Sequence, residues 1–565
     1  MSVESVASDL KDALRASKKG FIAAGVFSLF INILMLTAPL YMLQVYDRVV
    51  AARSFDTLVY LTIIMVSMFA IMGLLEWVRS RVLVRVGNQL DQALSPRIYS
   101  AMFEQGIRQP NMRNAQPLND LASVRQFMTG NGLFAFFDAP WMPIYIGLLF
   151  VFHPAFGWFA ICAGVILFCV AVANEKSTRK PITEASGENI RAQNLANSNI
   201  SNSEVLHAMG MLPAIMGRWY KQHLEVLSKQ TVASDKAGVF SNLSKILRMV
   251  FQSLILGLGA YYVINNEMSP GMMIAGSILM GRALAPLDLL IGTWAGFNNA
   301  RSSYGRLNQL LLAIPEDERK MSLPRPEGKL TIENVHAIPP GSKTPALKGI
   351  SFTVEPGNHV GIVGPSAAGK STLSRIILGL WPVANGVVRL DSADINHYNR
   401  DELGPNLGYL PQDIELFDGS ISENIARFGE VDPQKVVDAA KKAGVHEMIL
   451  QLPDGYDTVI GSTIGALSGG QRQRIGLARA IYGQPKFIVL DEPNSNLDDQ
   501  GEAALVNTMQ ILKQEGATVL VVSHRPSILK NIDQLLVLKD GTMQMFGNRD
   551  DVMQALAQQK QQAAS

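Results

Sequence analysis

The chain has 565 residues, of which 48% are hydrophobic and only 17% charged, so part of it requires a hydrocarbon environment rather than water. A formal net charge of +2 gives no electrostatic case for a nucleic-acid partner, and charge has to be read loop by loop. Two cysteines, Cys162 and Cys169, are too few for a disulfide scaffold or a Cys/His metal cluster.

The first twenty residues are polar and mixed in charge, and the apolar run after them is longer than a signal-peptide core, so a cleavable signal is not expected. Crossing about 30 Å of hydrocarbon takes about 20 apolar residues. Residues 21–43 and 58–78 qualify as continuous spans. Residues 133–152 and 155–173 form a hairpin broken at His153-Pro154, because Pro154 cannot continue the preceding helix. Residues 247–264 and 272–294 form a third pair, broken at Asn265-Asn266 and Ser269-Pro270-Gly271. Cys162 and Cys169 lie seven helical residues apart, about 10 Å of rise, so they are expected as buried, reduced thiols.

The long connections, residues 79–131 and 175–246, carry seven and nine Lys or Arg. The turns near 153 and 265 carry none, and the turn near 50 carries only Arg48 and Arg53. Positive loops stay in the cytoplasm, which predicts that both termini lie inside. Few Gly or Pro interrupt the long connections, so they are expected to be helical extensions of the spans.

Charges inside the spans need partners. Glu76 and Arg79, at i, i+3, are expected to pair locally. Arg282 sits mid-span, and Asp288, six residues on, points to nearly the opposite helix face. Two readings stay open for Arg282: a place on a central pathway, or a bond to another helix. The 24 methionines are expected to be ordinary lipid- and core-facing residues.

Residues 1–314 are therefore read as an all-α six-span domain, and the charged, Pro-broken segment 315–328 as a linker. From 329 to 553 short β-rich strands alternate with helical stretches, as in an α/β domain. The Gln/Ala-rich tail 554–565 fits either a frayed helix or disorder.

Gly364-Pro365-Ser366-Ala367-Ala368-Gly369-Lys370-Ser371, followed by Thr372, fits the pattern G-x-x-x-x-G-K-[ST]. It joins the strand 359–363 to a helix, so backbone N–H groups and a helix N-terminus make an anion cradle. Lys370 is placed for the β/γ-phosphates and Ser371 for Mg²⁺. Phe487-Ile-Val-Leu-Asp491-Glu492 reads as a buried parallel strand ending in two carboxylates, at the edge where such sheets bind ligands. Asp491 is expected to hold Mg²⁺, usually through water, and Glu492 to polarise the attacking water.

Together with these residues, Leu467-Ser468-Gly469-Gly470-Gln471, Gln412 in Tyr409-Leu-Pro-Gln412, Ser495-Asn-Leu-Asp498 and His524 resemble the ordered motifs of ABC transporter ATPases. The resemblance implies two ATPase domains meeting head to tail, most simply in a homodimer. Each ATP would lie between the P-loop of one chain and Ser468, Gly469, Gly470 and Gln471 of the other, with Asp498 nearby. It also implies that Gln412 joins the metal site and that His524 contacts the γ-phosphate. Many members stack an aromatic residue on adenine about 25 positions before the P-loop. That stretch here reads Val335-His-Ala-Ile338-Pro339-Pro-Gly341, so weak discrimination between ATP and GTP is expected.

Pro39-Leu-Tyr-Met-Leu-Gln-Val-Tyr-Asp-Arg48, Phe137-Asp138-Ala-Pro-Trp141 and Gly276-Ser-Ile-Leu-Met-Gly281-Arg282 resemble the type I secretion exporters of Gram-negative bacteria. The likeness is greatest for the branch exporting metalloproteases, lipases and haem-binding proteins through an uncleaved C-terminal signal. It implies an inner-membrane exporter acting with a periplasmic adaptor and an outer-membrane channel. With no cysteine before Cys162 and about twenty residues before the first span, neither a fused leader peptidase nor its non-catalytic relative is expected. The alternatives are a half-transporter for lipids or small amphipathic molecules, a soluble ABC ATPase acting in DNA repair or translation, and an inactive regulatory ABC protein. The six spans argue against the soluble ATPase, and intact Lys370, Glu492 and His524 argue against the inactive one.

Overall fold

The computed structural model describes residues 8–109, 114–315, 322–461 and 467–564. The chain divides into two compact units, Met1–Gln105 with Met112–Glu316, and Gly106–Asn111 with Asp317–Ser565.

Six helices of the first unit are long and apolar enough to cross a membrane: Lys18–Val50, Phe55–Arg108, Gly132–Phe152, Pro154–Ser201, Leu212–Ile264 and Pro270–Ala313. Each expected span falls inside one of them. The helix Phe55–Arg108 has 54 residues, a length of about 80 Å, so well over half of it projects beyond the hydrocarbon. The long connections are thus helical continuations of the spans. The hairpin breaks are capped at the expected places. His153 Nδ1 accepts the amide of Ala155 at 3.1 Å, and Ser269 Oγ accepts that of Met272 at 3.1 Å.

Four expectations for this unit need correction or completion. The first span is not one helix: α-helices Lys18–Leu34 and Thr37–Gln44 precede a π-helical turn at Val45–Val50. Pro39 has no N–H and its ring would collide with the carbonyl four residues earlier, so the break falls at residues 35–36. Arg79 does not pair with Glu76. Its Nη1 reaches Ser28 Oγ at 2.9 Å and Asp138 Oδ1 at 3.2 Å, and its guanidinium lies 4.3 Å from the centre of the Phe134 ring. Asp138 also accepts Asn32 Nδ2 at 2.9 Å, and Tyr145 donates to Asn32 Oδ1 at 2.9 Å. A partner at the helix break after Asp138 offers several hydrogen bonds at once, which an i, i+3 partner does not. Cys162 and Cys169 are free, as expected, but exposed rather than buried. Both lie on a part of their helix that the rest of the single chain does not cover. Asp288 binds Ser244 and Arg248 at 2.9 and 3.1 Å, so it is no partner for Arg282. Among the described residues Arg282 makes no hydrogen bond or ion pair.

The second unit has two large sheets and a two-stranded pair, Gly419–Ser420 with Val459–Ile460. An antiparallel one runs, in spatial order, Leu347–Val354, Leu330–Ala337, Asn385–Leu390 and Ala393–Asp394. The other has six strands in the order Thr542–Asn548, Gln534–Lys539, His359–Val363, Thr518–Val522, Phe487–Asp491 and Leu407–Leu410, parallel except for the first. Phe487–Asp491 and Thr518–Val522 are buried at every residue, as expected of continuous apolar runs in a covered parallel sheet. One apolar core packs the helix Lys370–Ile377 against this sheet and a second packs the helix Gly469–Ile481. Residues 316–321 of the expected linker lie outside the described residues. The segment Glu327–Lys329 is pinned by its amides to the Asp391 carboxylate at 2.6–3.3 Å. The tail continues a helix, Arg549–Ala564.

Candidate functional site

The register of the parallel strands decides what meets. Val522 pairs with Asp491 on one side and with Ile362 on the other, and Leu490 pairs with Leu410. The loops that begin at Gly364, Glu492, Ser523 and Pro411 therefore leave one edge of the sheet, at the carboxyl ends of its strands. Four motifs scattered over 160 residues of sequence become neighbours for that reason alone.

The loop after His359–Val363 depends on glycine at two points. A Cβ at Gly364 would stand 2.2 Å from the Leu538 carbonyl oxygen. At Gly369, with φ +98°, it would meet Ala346 O and Leu347 Cδ2 at 2.7 Å each. Gly369 then caps the helix Lys370–Ile377, whose free N–H groups face the loop. Lys370 Nζ lies across the loop, donating to Gly364 O at 2.8 Å and Pro365 O at 3.0 Å.

A cleft of about 420 Å³ is lined by Ala346, Ser366, Ala367, Gly369, Lys370, Ser371, Thr372, Gln412 and Glu492. The structure thus brings together Ser366, Ala367 and Gly369 to Thr372 of the expected P-loop with Gln412 and Glu492, while Gly364, Pro365 and Ala368 do not line the cleft. Ala346 is an addition that no motif in the sequence signals. Ser371 Oγ stands 3.5 Å from Asp491 Oδ1, and Gln412 Nε2 donates to Glu492 Oε2 at 3.1 Å. Glu492 adopts a left-handed backbone, φ +49°, held by its amide bonding to Val522 O at 3.0 Å.

Asp491 is 1% exposed, and burial raises its carboxyl above the usual range. The Ser371 hydrogen bond and the cations Arg375 and Lys370 oppose that shift, while the Glu492 carboxylate adds to it. With its folded pKa raised, Asp491 favours the folded state below its unfolded pKa, and that contribution is lost as pH rises through the folded value. At neutral pH the buried carboxylate is thus a cost to stability. Asp491→Asn is expected to raise the melting temperature of the nucleotide-free protein while lowering ATP turnover at least ~10²-fold. Differential scanning fluorimetry and phosphate release read the two arms.

The remaining expected residues are not in this cleft. Ser468 Oγ caps the helix Gly469–Ile481, accepting the Gln471 amide at 3.2 Å, and Gln471 Oε1 returns the bond to the Ser468 amide at 2.8 Å. Asp498 caps the helix Asp499–Gln514 through the Gly501 amide at 2.8 Å. His524 is exposed at the sheet edge. Sequence reasoning also passed over Gln473. Its place in the buried register of Leu477 and Ala480, on an otherwise apolar face, was the signal that could have found it.

Residues 347–495 match the family model "ABC transporter", and residues 21–286 match "ABC transporter transmembrane region". The type I secretion system ATP-binding protein PrsD of Rhizobium meliloti is 44% identical over 96% of this chain and 93% of its own length. The chain belongs to the ABC transporters of type I secretion. The toxin RTX-I translocation ATP-binding protein of Actinobacillus pleuropneumoniae is 28% identical over 95% of this chain and 76% of its own. A bacterial Atm1-family ABC exporter solved with ATP bound superposes with a TM-score of 0.83 over 97% of this chain and 98% of that one. At 21% identity that likeness shows the ABC exporter fold alone. This type I secretion ABC transporter is accordingly a multi-pass membrane protein with an ATP-binding, transport-coupled ATPase.

Proposed function

We propose that the chain is the ATP-hydrolysing inner-membrane exporter of a type I secretion system. It moves a protein with an uncleaved C-terminal signal, such as a protease or lipase, through a periplasmic adaptor and an outer-membrane channel. The observation that carries this reading is the 44% identity, over nearly the full length of both chains, to a type I secretion ATP-binding protein.

The exporter works as a homodimer with both termini and both ATPase domains in the cytoplasm, the side to which the Arg- and Lys-rich helical extensions belong. Residues 1–314 act as the transmembrane domain, 315–328 as the linker and 329–553 as the motor. ATP sits on Gly364 to Thr372 of one copy and is covered by Ser468, Gly469, Gly470 and Gln471 of the other. What supports the second copy is chemical: Ser468 heads a helix N-terminus in a part of the chain that the P-loop cleft does not include. Ser371, Asp491 and Gln412 offer only oxygen donors of the kind a hard divalent cation takes, so they would hold Mg²⁺. When bound, that ion supplies neutralisation of phosphate charge. Glu492 polarises the attacking water, held in place through Gln412, and His524 contacts the γ-phosphate. Arg282, which makes no hydrogen bond or ion pair among the described residues, is read as facing the export pathway.

Co-expression with the adaptor, channel and candidate secreted protein encoded nearby tests the reading. The secreted protein is expected in the medium with its C-terminus intact, and Glu492→Gln should abolish its appearance. ATPase stimulation by lipids or amphipathic drugs, with no protein released, would favour a lipid or small-molecule exporter. The base site makes a separate prediction. Ile338 is 44% exposed and no aromatic residue stands in that stretch, so kcat/KM for ATP and GTP is expected to agree within about fivefold. A much larger preference for ATP in a coupled phosphate assay would place another stacking group at the base.

A further inference from the structure

One buried polar side chain in the motor takes no part in the roles assigned so far. Gln473 is 2% exposed, one turn into the helix Gly469–Ile481, and both ends of its amide are engaged. Its Oε1 accepts the Asn496 amide at 2.9 Å, and its Nε2 faces the Glu492 carbonyl at 3.3 Å and Ser495 Oγ at 3.5 Å. The orientation is fixed by its neighbours, because a flipped amide would set donor against the Asn496 N–H and acceptor against the Glu492 carbonyl. The same contact is close on the backbone side. A Cβ at Gly470 would stand 2.8 Å from the Asn496 carbonyl oxygen, so the helix start and the loop after Glu492 approach to a distance only glycine permits. That loop is tied at its far side too, since Asn494 Oδ1 accepts Ser523 Oγ at 3.0 Å, one residue before His524.

We propose that Gln473 is a positioning residue that locks the helix beginning at Ser468 to the backbone of Glu492 and the loop Ser495–Asn496. Glu492 holds a strained left-handed backbone, and its carbonyl is the atom Gln473 grips. A small shift of the helix therefore moves the backbone that aims the Glu492 carboxylate. The inference rests on the dimer proposed above. There, Ser468 touches the ATP of the neighbouring site, so Gln473 makes the geometry of one site depend on occupancy of the other.

The test uses the full-length exporter in lipid nanodiscs, with fluorescent-nucleotide binding, kcat, KM and the Hill coefficient for ATP measured on native protein, Gln473→Leu and Gln473→Glu. Gln473→Leu fills the space without either hydrogen bond. Gln473→Glu keeps the shape and the acceptor for Asn496 but sets an oxygen against the Glu492 carbonyl, and it is the decisive variant if Gln473→Leu does not accumulate. Nucleotide affinity and KM are expected within about twofold of native, with kcat down roughly tenfold and the Hill coefficient falling toward one. Native turnover in both variants, or affinity lost in step with turnover as a merely structural role would give, overturns the proposal. If the native Hill coefficient exceeds one and Gln473→Glu retains it, the dimer stands and the role of Gln473 fails. A native coefficient of one counts against both.

Discussion

Glu492→Gln is expected to cut ATP turnover by roughly 10²- to 10⁴-fold while nucleotide binding stays near native. The substitution keeps the side-chain shape and leaves an oxygen to accept from Gln412 Nε2, which stands 3.1 Å from Glu492 Oε2. In the role proposed for Glu492 it removes what the reaction would need there, a negative oxygen able to draw a proton from water. The backbone is not at issue, because the amide of residue 492 still bonds Val522 O and the left-handed turn is set by that strand end. Lys370→Ala should behave differently. Lys370 is proposed as the cation that meets the phosphates, so its loss is expected to weaken binding itself. Phosphate release together with equilibrium nucleotide binding separates the two variants. Normal turnover in Glu492→Gln would remove Glu492 from its role.

The second large effect belongs to the membrane unit. Arg79 and Asp138 are only 6% and 16% exposed at their side chains, and Ser28, Asn32 and Tyr145 complete their hydrogen bonds. Removing one charge leaves the other buried and unpaired, which costs about 3–5 kcal/mol. Arg79→Ala or Asp138→Ala is therefore expected to reduce the folded protein recovered from membranes and to lower its melting temperature. The double replacement Arg79→Met with Asp138→Leu should recover most of that loss, since two apolar groups need no partner. Size-exclusion yield and thermal unfolding of the four proteins form the cycle. If either single alanine variant is as stable as native, the pair carries no such weight.

These two cases also show what the sequence could and could not disclose. The P-loop, Asp491 and Glu492 were legible because each is a short contiguous pattern whose geometry is set by the strand it ends. Parallel pairing in register then aligns those strand ends without further information. The span positions were legible from apolar length, and the hairpin breaks from Pro154 and Pro270. Arg79 was misread because its partner lies 59 residues away, and a local rule about i, i+3 pairs cannot see that Asp138 at one helix end meets Ser28 and Asn32 of the helix Lys18–Leu34. Cys162 and Cys169 were misread because an apolar run does not say which face of its helix the rest of the chain covers. The first span's interruption was available in principle, since Pro39 forbids a continuous helix there. Gln473 went unnoticed for the opposite reason to Arg79. Its neighbours in sequence belong to a well-known motif, and its own role depends on contacts about twenty residues further on.

Each ATP site is proposed to be completed by a second copy of the chain, and one comparison of mixed dimers tests this directly. Two tagged copies are co-expressed and the heterodimer is purified through both tags. In one arrangement Lys370→Ala is in one copy and Ser468→Arg, at an exposed position, in the other; in the second, both substitutions share a copy beside a native partner. If sites form between copies, the first arrangement keeps one complete site and the second keeps none. Photolabelling with azido-ATP after vanadate trapping is then expected in the first arrangement and absent in the second. Trapping in the second arrangement and not in the first would contradict the account, because it would mean that each chain closes its own site.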